Sequence, residues 1–322
     1  WAATMTELLK VSGSFATVWL LTWFSCALLL ATCYPLLRPQ LMRWHPAIAS
    51  NLLLLLLAFP LLLSLSTAAL IFLPLFEFAL VSDHCHDNCA AHSPLIEIAG
   101  LAETGLLLTL MIACFLCYRL LLNLRVSRNL QRQLRHLTTD CGSYRLLDSE
   151  QAFVFTLGWW RNEVYLTSGL QSRCTEDDLA IILAHEYAHS RRRDNVRLLA
   201  AMLFNLVLPG SLGKQMQDDY HLLIESACDF AAAEGRDRLS VAETLLKIQK
   251  LSPDQWQFGK DVILSALTGS EVELRVRALI HGRNESLAQQ ASLQLSFLML
   301  VFASISLVDP LHHGIEILLM LN

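Results

Sequence analysis

The chain has 322 residues, of which 54% belong to hydrophobic types and only 16% are charged. Soluble globular domains average about 45–50% apolar and about 25% charged residues, so this composition excludes a disordered chain or a coiled-coil rod. The 24 basic and 29 acidic residues leave a formal net charge of −5, which argues against a nucleic-acid partner bound through a basic surface.

The charged residues are distributed unevenly along the chain. Residues 1–123 contain only 10 of them, whereas residues 124–290 contain 41 in 167 positions, an ordinary proportion for a soluble domain. Residues 291–322 contain only Asp309 and Glu316. The distribution predicts an apolar region, then a soluble-type domain over 124–290, then a second apolar region.

The apolar regions contain segments of the length that a bilayer requires. A helix needs about 20 apolar residues to cross a hydrocarbon core that is about 30 Å thick. We predict transmembrane helices at about 13–37, 47–76 and 95–121, with an outer loop at 82–93 between the second and the third. A fourth transmembrane helix with a short outer tail is predicted within residues 291–322.

The positions of the arginines predict the direction in which the chain crosses the membrane. Arg38 and Arg43 lie in the first loop, and five arginines between residues 119 and 135 follow the third helix. The loop at 82–93 contains neither lysine nor arginine. Because basic loops remain on the cytoplasmic side, we expect the N-terminus and the 82–93 loop outside and the 124–290 domain in the cytoplasm.

The outer loop itself is rich in metal-binding residue types. It contains His84, His86 and His92 together with Cys85 and Cys89. A disulfide between the two cysteines in an oxidising compartment and a metal-sensing patch are both consistent with this pattern, and the sequence leaves the two alternatives open.

A metal-binding motif lies on a predicted helix in the soluble-type domain. Thr175 and Asp178 have the spacing of a capping box, which predicts the start of the helix. His185 and His189 are four residues apart and share a helix face, so both imidazoles can reach one ion about 2.1 Å away. Glu186 can hold and deprotonate a metal-bound water. The motif predicts one catalytic Zn²⁺ per chain.

A second helical stretch offers the third ligand that a catalytic zinc requires. Glu225 and Asp229 share a face, so we predict Glu225 as the ligand and Asp229 as the acceptor of the proton on the other nitrogen of a ligating histidine. Cys228 competes as a ligand but lies one residue off that face. Tyr220 and His221 are candidates for stabilising an oxyanion, because they lie close to Glu225 in sequence.

Residues 153–157 and 163–167 are predicted to form two short strands, with Gly158 and Asn162 on either side of the turn. An exposed edge strand near a metal site can bind a peptide in extended form by backbone pairing. The alternative is a hairpin that only completes the domain.

Several stretches of the sequence resemble the BlaR/MecR-type integral-membrane zinc metallopeptidases, which are gluzincins related to the HtpX and Ste24 membrane proteases. These stretches are residues 152–161, 163–170, 178–195, 225–229, 242–246 and 271–279. The resemblance implies an α-helical integral membrane protein with about four transmembrane helices and a mainly α, α+β zincin-like cytoplasmic metallopeptidase domain that contains a short β-hairpin.

The resemblance also implies roles for individual residues. His185, His189 and Glu225 would be the zinc ligands, Glu186 the general base, and Asp229 the partner of a ligating histidine. A strand near Ala152, Phe153, Val154 and Phe155 would border the substrate cleft.

Members of this family that carry sensor domains cleave a cytoplasmic repressor after an outside ligand binds. The resemblance therefore implies a multi-pass protein of a bacterial inner membrane, in contact with the lipid bilayer, with a protein or peptide substrate and a sensor or regulatory partner. Only about 14 residues, Asp309 to Asn322, follow the predicted fourth helix, so we expect the penicillin-binding sensor domain to be absent.

Three functions remain open at this point. The first is an endopeptidase in regulated proteolysis, and the second is a membrane quality-control protease. The third is a non-catalytic signalling or scaffold protein with a structural zinc site. The sequence does not determine the oligomeric state.

Overall fold

A computed structural model describes residues 2–72, 95, 96, 98, 100–205, 208, 210–251, 269–282 and 287–320. The structure is 80% helical and contains one mixed sheet of four short strands. The predicted outer loop, with its histidines and with Cys85 and Cys89, lies outside the described residues.

The helices are α1 (Ala2–Leu41), α2 (Pro46–Phe72), α3 (Leu101–Leu137), α4 (Ser168–Gln171), α5 (Glu176–Arg192), α6 (Asp194–Phe204), α7 (Gly210–Ala232), α8 (Arg238–Leu251), α9 (Gly269–His281), α10 (Leu287–Ser306) and α11 (Val308–Met320). The strands are β1 (Thr138–Asp140), β2 (Arg145–Leu147), β3 (Val154–Leu157) and β4 (Glu163–Thr167).

Four helical segments of the described chain are long and apolar enough to cross a membrane. They are Met5–Leu41, Pro46–Phe72, Leu101–Leu137 and Gln294–Gly314. The predicted number is therefore confirmed, although α3 continues well beyond the predicted end at 121. One unbroken helix thus runs from the third candidate span into the soluble-type region, because the arginines that follow residue 118 are good helix formers.

Close contact between backbones holds α1 against α3. A Cβ atom added to Gly105 would lie 2.0 Å from Thr17 Oγ1, and one added to Gly13 would lie 2.6 Å from the carbonyl oxygen of Ala102. Small residues at a helix crossing allow such an approach in a membrane, where packing replaces the hydrophobic effect. Within the most apolar window of α3 only 6% of the residues are buried, as expected of a helix that contacts lipid.

The first two candidate spans share a hydrophobic core with α6 and α7, and we call this cluster the shared core. Its buried members include Leu30, Tyr34, Leu53, Leu57, Leu198, Ala201, Met216, Tyr220 and Leu223. The helices of the soluble-type region therefore pack directly on the candidate spans. This packing places α7, which carries Glu225, next to α1 and α2.

The predicted hairpin is confirmed, and it belongs to a larger sheet with the strand order β1-β2-β4-β3. β3 pairs with β4 antiparallel, with Phe155 opposite Tyr165, whereas β2 pairs with β4 in parallel. Gly158 begins the turn with a φ of 128°, and a Cβ there would lie 2.4 Å from the carbonyl oxygen of Arg161. The strands β1 and β2 were not predicted, because segments of three residues are too short to show an alternating pattern.

Candidate metal centre

The helix that carries the histidine motif begins and ends with specific caps. Thr175 Oγ1 accepts a hydrogen bond from the backbone N–H of Asp178 at 3.2 Å, and the carboxylate of Asp178 accepts one from the backbone N–H of Thr175 at 2.9 Å. This is the predicted capping box. At the other end Arg193 adopts a left-handed conformation, with φ 56°, and α6 begins at the next residue.

Three potential ligand side chains from two helices converge on one point. His185 Nε2 and His189 Nε2 are 3.1 Å apart. The first lies 3.4 Å from Glu225 Oε2 and the second 3.4 Å from Glu225 Oε1. Two ligand atoms that each lie about 2.1 Å from a zinc ion in tetrahedral geometry are about 3.4 Å apart. The three side chains are only 13%, 7% and 6% exposed, respectively. The donor set and its spacing therefore fit a zinc ion held by two histidines and one glutamate.

Cys228 lies beside His189, on the side of the ring that faces away from His185. Its sulfur is 3.3 Å from His189 Nδ1 and 3.4 Å from Asp194 Oδ2, so it faces the nitrogen that points away from His185. Burial raises the pKa of the Cys228 thiol, and the nearby carboxylate of Asp194 adds to this effect. The geometry therefore favours Glu225 over Cys228 as the third ligand.

Each histidine has a carboxylate on its remaining nitrogen. His185 Nδ1 lies 3.0 Å from Asp229 Oδ1, where the sequence predicted such a partner, and His189 Nδ1 lies 2.9 Å from Asp194 Oδ2. Carboxylates in this position fix the orientation of a ligating imidazole and increase its basicity. The sequence did not predict the role of Asp194. The left-handed turn that brings Asp194 back to His189 is formed by Arg193, and a left-handed turn is expected from sequence only where a glycine stands.

A buried arginine balances the charge of the carboxylates. Arg275, on α9, is 0% exposed and donates two hydrogen bonds to Asp229, at 2.7 and 2.6 Å. Its Nη1 also lies 3.1 Å from Glu225 Oε2. Burial disfavours the charged guanidinium, but Asp229 and Glu225 outweigh burial and hold the pKa of Arg275 above its usual value. The sequence predicted no role for this residue.

The same groups determine the protonation of the first histidine. Burial alone would lower the pKa of His185, but Asp229 and Glu225 outweigh it and raise this pKa to about 10 when no ion is bound. A zinc ligand must be a neutral imidazole, so binding of the metal displaces this proton.

The predicted general base is anchored to the sheet. Glu186 is 7% exposed, and its Oε2 accepts a hydrogen bond from Thr156 Oγ1 at 2.7 Å. Asn195 in turn donates to the carbonyl oxygens of Thr156 and Gly158, at 3.3 and 2.9 Å. The structure thus connects β3 to the metal-binding helix α5 through Thr156 and to α6 through Asn195. The sequence indicated a role for neither residue.

The two oxyanion candidates occupy different environments. Tyr220 is fully buried in the shared core, where its hydroxyl accepts a hydrogen bond from Arg197 Nε at 3.3 Å. His221 Nε2 lies 3.3 Å from Gln217 Nε2, and burial lowers the pKa of His221. The hydrogen bond from Arg197 uses a lone pair of the Tyr220 hydroxyl and leaves its O–H as a donor. The roles of Tyr220 and His221 both stay predictions.

The predicted substrate segment leads into the edge of the sheet. Among the described residues, β3 pairs with β4 alone, so no described strand covers its other edge. Ala152 and Phe155 are 1% and 5% exposed, and the Phe155 ring stacks on Tyr165 at 5.2 Å. The side chains of these two residues are therefore enclosed by the protein.

Comparison with known proteins identifies one related family. Residues 121–224 match the family model described as Peptidase family M48, and no curated protein and no solved structure gave a match. The matched segment covers about a third of the chain and includes both histidines, and it ends one residue before Glu225. Membership of the BlaR/MecR-type group stays a prediction. The match and the four apolar helices are together consistent with a membrane zinc metallopeptidase of the M48 type.

Proposed function

We propose that this chain is a membrane-embedded zinc endopeptidase that hydrolyses peptide bonds of a cytoplasmic or membrane-adjacent protein in regulated proteolysis. The observation that carries the proposal is the convergence of His185, His189 and Glu225. The two Nε2 atoms are 3.1 Å apart, and each lies 3.4 Å from one of the two carboxylate oxygens of Glu225. Glu186 follows the first ligand directly on the same helix. A structural zinc site would not need that glutamate.

The chain's own residues supply the steps of acid–base catalysis. Zinc in this site would provide Lewis acidity and would lower the pKa of a bound water. One carboxylate oxygen of Glu186 is held by Thr156, which leaves the other oxygen to take a proton from the attacking water. Glu186 then delivers that proton to the leaving amine of the substrate.

The edge of β3 offers backbone groups to a peptide substrate. Phe153 accepts a backbone hydrogen bond from Thr167 at 3.2 Å, so in an antiparallel ladder the N–H and C=O of Val154 point away from β4. Further along the same edge, Asn195 donates a hydrogen bond to the carbonyl oxygen of Thr156. We therefore place the peptide backbone of the substrate beside Val154.

The substrate edge can be tested by removing one backbone donor. Proline is tolerated on edge strands but has no N–H, so Val154→Pro should raise KM for a peptide substrate by about tenfold and leave zinc binding unchanged. Val154→Ala, which keeps the N–H, is the matched control. An unchanged KM in Val154→Pro would show that peptides bind elsewhere.

We further propose that the protein lies in a bacterial inner membrane, with its N-terminus outside and residues 124–290 in the cytoplasm. The support is the position of Arg38, Arg43 and the five arginines between 119 and 135. Fusions of alkaline phosphatase or green fluorescent protein after residues 43, 123 and 290 would test this orientation. Phosphatase activity at residue 123 would contradict it.

The central test compares the wild-type protein with Glu186→Gln, both purified in detergent. We expect one zinc per chain in both proteins, measured by mass spectrometry, and cleavage of casein or of the chain itself only in the wild type. Glu176→Gln, at the exposed start of the same helix, is the control and should cleave normally. Zinc in both proteins with equal cleavage, or a folded wild type without zinc, would contradict the proposal.

A further inference from the structure

An arginine at the end of the metal-binding helix contacts both the metal centre and a candidate membrane span. Arg192 Nη2 donates a hydrogen bond to Ser50 Oγ on α2 at 2.9 Å. Its Nε lies 3.3 Å from Asp194 Oδ1. One guanidinium therefore bridges the second candidate span and the carboxylate that contacts His189.

Every contact in this connection is shielded from solvent. Ser50 is 0% exposed, Asp194 is 1% exposed, and the side chain of Arg192 is 14% exposed. An ion pair with so little exposure is screened little by salt, and its geometry is restricted by the packing around it. The side chain of Asp194 is consequently held from two sides, by Arg192 and by His189 Nδ1.

The local backbone explains why these groups meet. The left-handed conformation of Arg193 ends α5 and starts α6 at Asp194, so the aspartate is turned back toward His189. Arg197, one turn later, hydrogen-bonds the side chain of Asn51, the residue after Ser50. Its Nε lies 4.0 Å from Asp194, further away than that of Arg192.

We propose that Arg192 is a positioning residue that couples the orientation of the zinc ligand His189 to the membrane helix α2. The connection runs from Ser50 through Arg192 and Asp194 to His189. It rests on the proposed function, because it assumes that His189 binds zinc. A displacement of α2 relative to α5 would then change the orientation of a metal ligand, which connects the state of the membrane helices to zinc binding.

The test measures zinc affinity by competition with a chelator in the full chain in detergent, for the wild type and for the variants Arg192→Met, Ser50→Ala and the double variant. Loss of a group that orients a metal ligand lowers metal affinity about 10- to 100-fold. We expect Arg192→Met to bind zinc roughly tenfold more weakly than the wild type. Arg191→Met removes the same charge from an exposed neighbouring position, and its zinc affinity should stay within about twofold of that of the wild type.

The double variant tests whether the serine acts through the arginine. We expect Ser50→Ala to weaken zinc binding by about threefold alone and to add nothing when Arg192 is already Met, since residues in one network are not additive. Substitution of cobalt(II) for zinc gives a second readout. The visible absorption bands of the cobalt protein should shift in Arg192→Met and not in Arg191→Met.

The outcomes separate this inference from the proposed function. Wild-type protein that binds no zinc would overturn the proposed function. Wild-type protein that binds zinc, with an Arg192→Met affinity equal to that of Arg191→Met, would overturn the coupling alone. If Arg192→Met does not fold, Ser50→Ala decides the question, and a zinc affinity equal to that of the wild type would count against the coupling.

Discussion

Arg38 on α1 forms a two-point ion pair with Asp219 on α7, with Nε 2.6 Å from Oδ2 and Nη2 2.8 Å from Oδ1. The hydroxyl of Tyr34 donates a third hydrogen bond to the same carboxylate at 2.7 Å. Asp219 lies on the helix that carries Glu225, six residues earlier. The first candidate span is thereby attached to the element that supplies the third ligand atom.

We expect Asp219→Asn to lower the free energy of unfolding by about 1–2 kcal/mol, since it weakens three hydrogen bonds to a charged group. The loss of unfolding free energy stays moderate because the side chain of Arg38 is 40% exposed, so water can hydrate its charge when the ion pair is lost. Thermal unfolding in detergent measures the effect. Asp218→Asn, on the exposed neighbouring residue, should change little, and an equal loss in both variants would contradict the prediction.

A second prediction concerns the buried arginine of the metal centre. Arg275→Met leaves Asp229 and Glu225 without their cation, and removal of one partner from a buried pair costs about 3–5 kcal/mol. Arg277→Met, on the same helix, removes an arginine whose side chain is 68% exposed and which pairs with Glu273, so we expect a change below about 0.5 kcal/mol. Similar unfolding temperatures for the two variants would disprove the structural role of Arg275.

A third prediction concerns the hydroxyl that holds the general base. Thr156→Val keeps the shape of the side chain but removes the donor to Glu186, so we expect zinc to be retained and kcat to fall about tenfold. Thr156→Ser keeps the hydroxyl and should lose much less activity. Equal rates in the two variants would mean that this hydrogen bond does not position Glu186.

A fourth prediction concerns stability in acid. Burial would raise the pKa of Glu163, but hydrogen bonds from its neighbours outweigh burial and lower this pKa from 4.5 to about 2. The donors are Arg135, Tyr165, Gln131 and Arg145. A lowered carboxyl pKa stabilises the fold above pH 4.5, and the contribution is lost as the pH falls toward about 2.

The variant Glu163→Gln should therefore be less stable than the wild type at pH 7, by at most about 3 kcal/mol. The difference between the two proteins should shrink between pH 5 and pH 2, since the wild type alone loses this contribution there. Chemical unfolding at a series of pH values measures it. A difference independent of pH would show that Glu163 stabilises the sheet through neutral contacts only.

The sequence by itself determined the features that depend on local periodicity. Long apolar runs indicated the four candidate spans, because crossing a bilayer requires about 20 residues of helix. The spacing of four residues within His185–His189 and between Glu225 and Asp229 indicated a shared helix face, because a helix has 3.6 residues per turn. The capping box at Thr175 and the hairpin around Gly158 followed from equally local rules.

The tertiary structure decided which distant side chains support these groups. Asp194, Arg275 and Thr156 reach the centre from α6, α9 and β3, and no spacing within one element could show that they meet there. Their contacts arise from the packing of separate elements, which depends on the shape of the whole core. For the same reason only the structure reveals that Arg192 lies between Ser50 and the carboxylate beside His189.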